Sequence, residues 1–409
     1  MSPLAAAPPL PAATRRSIAL LSLGTFASMC AQRICDAMLP ELSRVFGVSL
    51  AQAAQVVSVF AITYGLSQLF YGPLGERCGK FRVVTFAALG GSVGSLVAVF
   101  AGSLDLLLLA RVLMALGAAA LIPLAMAWVG DNVAPEQLQE MLTRTGMGST
   151  LGIVGGQLVG GLLTDALGWR WAFCFMTVLF GLVGGLMWRD LQAQQARATP
   201  PAAMTSAGVD LRRSFVGQAL QIITGPWSRV VLLLALLEGA VGFGVLAIWA
   251  THLHTSLGLS VSGSGAIVAL FGLGGMGYMA VGRLLIRRLG QQRMVLAGGL
   301  MVGVCAGVVA FTPHWAPAVA ASFAAGFGFF MFHNTMQTNA TQMAPQARGT
   351  AVSLFSSFLF LGQSLGVVLA ASWVERIGTP LVVALGGAAM AVEGVLFAMA
   401  LAGRAAKLG

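Results

Sequence analysis

The chain is 409 residues long and carries 23 Lys and Arg residues against 13 Asp and Glu residues, a net charge of +10. Charged residues make up 9% of the chain and apolar residues 57%, whereas soluble globular proteins are about 25% charged. This composition excludes a soluble fold and a disordered chain. A transmembrane β-barrel would need many more alternating polar residues, so the sequence predicts an all-α membrane protein.

The positive charge and the cysteines do not indicate a nucleic-acid or metal site. Arg accounts for 21 of the 23 basic residues, and these are dispersed over short loops rather than clustered. The five cysteines form no CxxC pair, so neither a zinc site nor a disulfide framework is predicted. We therefore expect no metal, no cofactor and no nucleic-acid partner.

Apolar runs long enough to cross a bilayer recur along the whole chain. A disordered tail is predicted over 1–16, a six-helix bundle over 17–188, a cytoplasmic linker over 189–228, a second six-helix bundle over 229–402 and a tail over 403–409. The twelve predicted spans are 17–39, 51–73, 83–101, 104–128, 140–164, 170–188, 229–253, 263–285, 293–311, 317–341, 349–373 and 380–402.

The distribution of basic residues predicts the orientation. With a cytoplasmic N-terminus, 17 Lys and Arg fall on the cytoplasmic side and only Arg44, Arg170 and Arg376 on the far side. The positive-inside rule then predicts that both termini are cytoplasmic.

The two predicted bundles repeat each other in sequence. Residues 72–82, GPLGERCGKFR, match residues 282–293, GRLLIRRLGQQR, with one insertion. Gly156-Gln157 followed by Gly160 matches Gly362-Gln363 followed by Gly366. Matches at nearly one offset indicate a duplication. Two parallel six-helix repeats are typical of transporters whose substrate site lies between the halves.

The loop between the second and third spans resembles the loop motif of the major facilitator superfamily, G-x-L-x-D-R-x-G-R-R. The matching positions are Gly72, Glu76, Arg77, Gly79 and Lys80. The resemblance implies that this loop controls conformational gating, with Glu76 facing the helix that opens near Gly349, where free N–H groups favour a negative charge. It also implies an Arg77–Asp131 pair that holds the outward-facing state. The alternative is an ordinary basic cytoplasmic loop.

Two further segments carry the same resemblance. Arg111 to Gly117 is similar to the R-x-x-x-x-x-G motif of the fourth span. Gly152 to Gly161, GIVGGQLVGG, resembles the antiporter motif G-x-x-x-G-P-x-x-G-G, with Gln157 at the proline position. The resemblance covers essentially the whole chain and implies the twelve-helix drug or metabolite:proton antiporter branch, while Gln157 becomes a candidate substrate-binding residue.

Charged residues inside predicted spans are functional candidates, since each costs roughly 2.5–3.5 kcal/mol on insertion scales. Arg33 and Asp36 are three residues apart in the first span and can pair on one helix face. We interpret Asp36 as the proton carrier and Arg111, in the fourth span, as its switchable partner. The alternative is a static ion pair that joins two helices.

Two carboxylates lie deep in the second predicted bundle. Glu238 in span seven is a second proton-site candidate, because span seven lines the cavity in the superfamily fold. Glu393 lies in span twelve, which is peripheral in that fold, and is expected to make a structural hydrogen bond. His252, near the outer end of span seven, is expected to be solvated.

Polar side chains inside the spans are candidate substrate ligands. His333, Asn334 and Gln337 lie within little more than one turn of span ten, and Tyr64 and Gln68 are four residues apart in span two. They can bind substrate or simply join helices. The sequence therefore predicts a transporter, not an enzyme, that exports a small organic compound in exchange for protons by alternating access.

Two alternatives stay open: a uniporter or importer of a polar metabolite, and a non-transporting membrane scaffold or receptor. The proton gradient is the expected energy source, and a monomer in a bacterial inner membrane is the expected state. Besides substrate and protons, the lipid bilayer is the expected partner.

Overall fold

The computed structural model describes residues 10–197 and 210–408, which we call the N-terminal and C-terminal halves. In those ranges every regular element is a helix. The helices of the N-terminal half are α1 (Ala12–Arg33), α2 (Leu39–Phe46), α3 (Leu50–Ala53), α4 (Gln55–Cys78), α5 (Lys80–Val99), α6 (Leu104–Ala119), α7 (Leu121–Asn132), α8 (Pro135–Leu167) and α9 (Trp169–Arg197).

The C-terminal half has the same organisation, with one irregular helix. Between α11 and α12 the chain forms six residues of π-helix, Gly239–Gly244, which we call the π segment. The helices are α10 (Asp210–Thr224), α11 (Pro226–Glu238), α12 (Val245–Leu257), α13 (Val261–Phe311), α14 (Trp315–Gln342), α15 (Arg348–Ile377) and α16 (Thr379–Leu408).

Ten helical stretches of the described residues are long and apolar enough to cross a membrane. This number is lower than the twelve spans predicted from the sequence. Helix α13, at 51 residues, covers two predicted spans, and its path is broken at Gly290 (φ 70°, ψ 169°). Helix α1 covers residues 17–33 of the first predicted span, 17–39, and is not among the ten.

The predicted tails and linker are more helical than expected. Helix α1 begins at Ala12, before the predicted boundary at residue 17, and α16 continues to Leu408. The predicted linker over 189–228 contains the end of α9 and all of α10. Residues 1–9, 198–209 and 409 lie outside the described part.

Glycines in the left-handed region mark equivalent turns in the two halves. In the described chain six glycines have positive φ, and they form three pairs separated by 210 or 211 residues. Only glycine adopts this conformation without strain. The pairs support the duplication predicted from the sequence: Gly47 (63°) with Gly258 (65°), Gly79 (87°) with Gly290 (70°), and Gly168 (97°) with Gly378 (81°).

Close helix packing is also repeated. A Cβ atom on Gly156 would lie 2.7 Å from the Cys30 carbonyl oxygen, and one on Gly366 would lie 2.5 Å from Cα of Ala240. Small residues allow such close approach of helices in membranes. The repeated glycines thus bring α8 onto α1 and α15 onto the π segment.

The two halves touch at one end of the bundle and separate at the other. At the closed end, the end with Gly47 and Gly258, α4 packs against α15 and α8 packs against α13. At the open end, the end with Gly79 and Gly290, cavities separate the same helices.

Candidate functional site

The open end contains two adjoining cavities between the halves, of about 840 and 620 Å³. Helices α8, α13 and α14 line the larger cavity, and α4, α7 and α15 contribute to the smaller one. Gln337 lines both cavities, so they meet at α14. Mostly apolar clefts with a few polar groups are typical of small-molecule sites.

The predicted substrate ligands divide into cavity residues and buried residues. Asn334 and Gln337 line the larger cavity, and Gln68 lines the smaller one. Tyr64 does not face a cavity, because its ring is fully buried against Phe360 and its hydroxyl lies 3.1 Å from Ser28 Oγ. In this conformation Tyr64 joins α4 to α1 and α15, which is the helix-joining role left open for it.

Asp36 lies in a fully buried polar cluster below the closed end. Helix α1 ends at Arg33, so Asp36 belongs to the following turn rather than to the helix predicted over 17–39. The predicted pair is present: Arg33 Nη1 lies 3.2 Å from Asp36 Oδ2. Gln157 Nε2 donates to the same oxygen at 2.8 Å, because the glycines around Gln157 let α8 approach α1 closely. Gln157 is thus a partner of Asp36, while its role in substrate binding stays a prediction.

The hydrogen bonding of this cluster is incomplete. Asp36 Oδ1, Gln157 Oε1, and Nε and Nη2 of Arg33 have no hydrogen-bond partner among the described residues. Unpaired buried polar atoms are costly. The cluster thus contains two donor atoms and two acceptor atoms without hydrogen bonds to the described residues.

Arg111 is fully buried but does not pair with Asp36 in this conformation. Its Nε donates to the Val56 carbonyl at 2.9 Å, and its Nη1 donates to the Ala31 carbonyl at 2.8 Å. The guanidinium also lies 4.1 Å from the ring centre of Phe60. Its expected role as a switchable partner requires it to leave these acceptors.

The cluster around Asp36 also touches the other half. Arg33 Nη1 lies 3.5 Å from the carbonyl oxygen of Phe243 in the π segment, and its guanidinium covers the Phe243 ring at 4.4 Å. One residue earlier, Gln32 Nε2 donates to Gln363 Oε1 at 3.0 Å. A change of charge at Asp36 would therefore act directly on the contact between the halves.

Glu238 pairs with His333 in the C-terminal half. Glu238 is fully buried, and its Oε1 lies 2.7 Å from Nδ1 of His333, whose side chain is 16% exposed. The imidazole stacks on Phe329, with ring centres 5.7 Å apart and planes at 10°. His333 thus connects a buried acid to the turn of α14 that bears the cavity residues.

Glu393 does not make the structural hydrogen bond expected from the sequence. Its side chain is fully buried in α16, and neither carboxyl oxygen has a hydrogen-bond partner in the described part of the chain. The charged group that acts on it is another acid, Glu238. Helix α16 thus turns the Glu393 carboxyl group towards Glu238 of α11.

The gating motif forms an ion-pair chain at the open end. Lys80 Nζ lies 2.8 Å from Glu76 and 2.5 Å from Asp131. Lys80 is thus a partner of Asp131, the residue expected to pair with Arg77. Glu76 lines the smaller cavity together with Gly349, at the first turn of α15, where the resemblance placed its target helix. Gly72 also lines this cavity, and Gly79 is the one residue that joins α4 to α5.

A symmetric pair of contacts at the closed end was not predicted from the sequence. The Asp165 carboxylate accepts from the Ser262 backbone N–H at 2.6 Å, at the start of α13, and Glu375 accepts from the Ala51 N–H at 3.2 Å, at the start of α3. Each carboxylate thus meets a helix N-terminus of the other half, where negative charge is favoured. The duplication offset would have linked the two, since Asp165 and Glu375 are 210 residues apart.

A serine contact also joins the two halves at the closed end, where Ser58 Oγ lies 2.7 Å from Ser364 Oγ. The expectation that His252 is solvated is wrong. His252 is 1% exposed, with its ring nitrogens 2.9 Å from Thr379 Oγ1 and 3.0 Å from the Val309 carbonyl oxygen.

Comparison with known proteins identifies related transporters. A family model described as Major Facilitator Superfamily matches residues 21–367 and 285–408. An uncharacterized MFS-type transporter, YceJ of Bacillus subtilis, is 25% identical over 341 residues, covering 81% of this chain and 83% of the relative. The probable multidrug resistance protein EmrY and the multidrug export protein EmrB of Escherichia coli are 28% and 27% identical. These matches cover 50% and 44% of this chain but only 39% and 34% of the relatives.

Solved structures share the fold at lower identity. A bacterial homolog of the human lysosomal transporter Spinster, in an inward-facing and unoccupied conformation, superposes with a TM-score of 0.70 at 18% identity, covering 96% of both chains. The peptide transporter POT, in complex with sulfate, superposes with a TM-score of 0.73 at 17% identity, covering 95% of this chain and 94% of the other.

Proposed function

Because the chain belongs to the major facilitator superfamily, we propose that it is a proton-coupled exporter of a small organic compound that works by alternating access. The twelve predicted spans and cytoplasmic termini are part of this proposal. The break of α13 at Gly290 and the largely buried α1 support the count of twelve. On this orientation the open end faces the cytoplasm and the closed end faces outward.

The observation that carries the proposal is the position of Asp36. The carboxylate is fully buried, and its partner Arg33 also contacts Phe243 of the other half. A proton on Asp36 removes the charge that holds Arg33, and Arg33 then loses its fixed position against Phe243. Protonation from outside would thus favour opening of the closed end and release of substrate there.

Efflux is supported by the relatives. Two of them are named for multidrug resistance or export, although the matches span less than half of their length. The mostly apolar cavities with amide side chains suit a partly apolar organic compound. A uniporter or importer of a polar metabolite is the second candidate, favoured by Asn334 and Gln337, which present amides to the cavity.

The coupling is tested in liposomes that contain a pH-sensitive dye, with a panel of organic compounds and an imposed pH gradient. Wild type should show substrate-dependent proton flux, and Asp36→Asn should lose it. Asp105→Asn, which changes an exposed acid at the start of α6, is the matched control and should keep the flux. Substrate movement without proton flux that is unchanged in Asp36→Asn would favour the uniporter.

The alternative that the protein is a non-transporting scaffold or receptor is tested by locking the closed end with a cross-link. Replacing Ser58 and Ser364, whose hydroxyl oxygens are 2.7 Å apart, with cysteines allows an oxidative cross-link between α4 and α15. Oxidation should abolish transport and a reductant should restore it. Each single cysteine variant, oxidised in parallel, is the control. Function that survives a complete cross-link would contradict alternating access.

A further inference from the structure

The C-terminal half buries two acids that the proposed Asp36 mechanism does not use. Glu238 and Glu393 are both 0% exposed. Glu238 Oε2 and both oxygens of Glu393 have no hydrogen-bond partner in the described residues. An ionised carboxylate without a donor or cation is among the most costly groups to bury, and the usual outcome is that it holds a proton.

The helices around Glu393 place it deep in the bundle. Helix α16 packs closely on α13, since a Cβ on Gly299 would lie 2.8 Å from the Met390 carbonyl oxygen. One turn beyond Glu393, the Phe397 ring lies 5.8 Å from the Phe332 ring of α14. His333, the next residue of α14, contacts Glu238. Helix α11, which bears Glu238, also packs against α16, so the helix of Glu393 contacts both the helix of Glu238 and the helix of His333.

The charges that face Glu393 come from few groups. Of the elements packed against α16, α11 contributes Glu238, and α14 contributes His333 behind Glu238. In α15 the charged side chains lie at the two ends of the helix. The other charged or titratable side chains on the packed elements are Arg229 at the start of α11, His252 and His254 near the end of α12, and Tyr278, Arg283, Arg287, Arg288, Arg293 and Cys305 in α13.

We propose that Glu393 is a proton-binding site that exchanges its proton with Glu238, and that His333 passes the proton between Glu238 and the cavity at the open end. The proton held on Glu393 moves to the free Oε2 of Glu238, and His333 accepts a proton from Glu238 through the contact at Nδ1. His333 then releases it towards the turn that bears Asn334 and Gln337. No bond other than the bonds to the proton changes.

The path fits the burial of the three groups. Glu393 and Glu238 are sealed from solvent, whereas the His333 side chain is 16% exposed. The Phe329 ring stacks on the His333 imidazole and holds the orientation of that imidazole. A histidine side chain that contacts a buried acid and is itself partly exposed can take up a proton from one partner and release it to another.

This inference extends the proposed proton-coupled transport, and its first test does not depend on transport. Infrared difference spectroscopy of the reconstituted protein across a pH step reports the C=O stretching band of protonated carboxyl groups. Wild type should show a band that Glu393→Gln loses and Glu238→Gln shifts. Glu136→Gln, which changes an exposed acid in the first turn of α8, is the control and should leave the band unchanged.

Misfolding of Glu393→Gln would also remove the band, so the conservative variant Glu393→Asp is measured beside it. Because Glu393→Asp keeps a carboxyl group, it should show the band at a shifted frequency. A wild-type spectrum without this band, or a band unchanged in Glu393→Gln, would overturn the proposal. In the liposome assay, Glu393→Gln should change the number of protons moved per substrate. If wild type shows the Glu393 band but no substrate-dependent proton flux, the proposed function is contradicted while the proton site at Glu393 remains.

Discussion

The two halves share their backbone geometry at the closed end but bury different charges. Equivalent glycines make equivalent turns, and Asp165 and Glu375 meet helix N-termini in the same way. The interiors differ, since Asp36 in the N-terminal half is paired with a guanidinium and an amide. In the C-terminal half Glu238 is paired with the imidazole of His333. The duplicated frame thus stayed fixed while each interior took its own chemistry.

The largest expected effect comes from removing the cation in the N-terminal half. Arg33→Met leaves Asp36 buried beside Gln157 alone, and breaking a buried pair in this way costs about 3–5 kcal/mol. His333→Leu in the C-terminal half removes a hydrogen-bond partner of Glu238 and should cost less, about 1–3 kcal/mol. The free energy of unfolding is measured by denaturant titration in mixed micelles.

The double variant Arg33→Met with Asp36→Asn is the control for this comparison and should recover most of the loss. Equal losses for Arg33→Met and His333→Leu would mean that the two interiors are stabilised alike, and the contrast between them would fail.

An intermediate effect is expected where the halves are alike. Gly160→Ala pushes a methyl group against the backbone of Ile34, and Gly366→Ala pushes one against Ala240. Overpacking of this kind costs about 1–3 kcal/mol, and the two variants should lose similar amounts in the same titration. Gly90→Ala, where a Cβ would meet nothing within 4 Å, is the control and should not destabilise. A loss confined to one half would break the equivalence.

The smallest effect is expected at the symmetric carboxylates. Asp165→Asn and Glu375→Gln should each weaken the closed end by about 0.3–1 kcal/mol, the usual value of a charge at a helix N-terminus. Spin labels at the exposed Arg44 and Arg376 measure the distance between the halves, and each variant should populate the longer distance to a similar degree. An effect in only one variant would show that the symmetry is geometric and not energetic.

The sequence was sufficient for local features. The pairing of Arg33 with Asp36 follows from a spacing of three residues, and the equivalent glycine turns follow from the offset between the halves.

Long-range partners could not be derived in this way. His333 and Glu238 are 95 residues apart, and Gln157 and Asp36 are 121 residues apart. Such contacts depend on how each helix is rotated about its axis, and hydrophobic periodicity defines a face but not the group opposite it. Glu393 illustrates the difference, because its depth was predictable whereas its lack of a donor was not.

The π segment between α11 and α12 has a consequence for insertions and deletions. A π-helical turn contains one residue more than an α-helical turn. Deleting Ala240 should therefore restore a regular α-helix and keep the side chains beyond the segment in their present orientation. Deleting Leu234 from the regular α11 would instead rotate every later side chain by about 100° about the helix axis. The π segment is thus the position at which this helix can tolerate the loss of a residue.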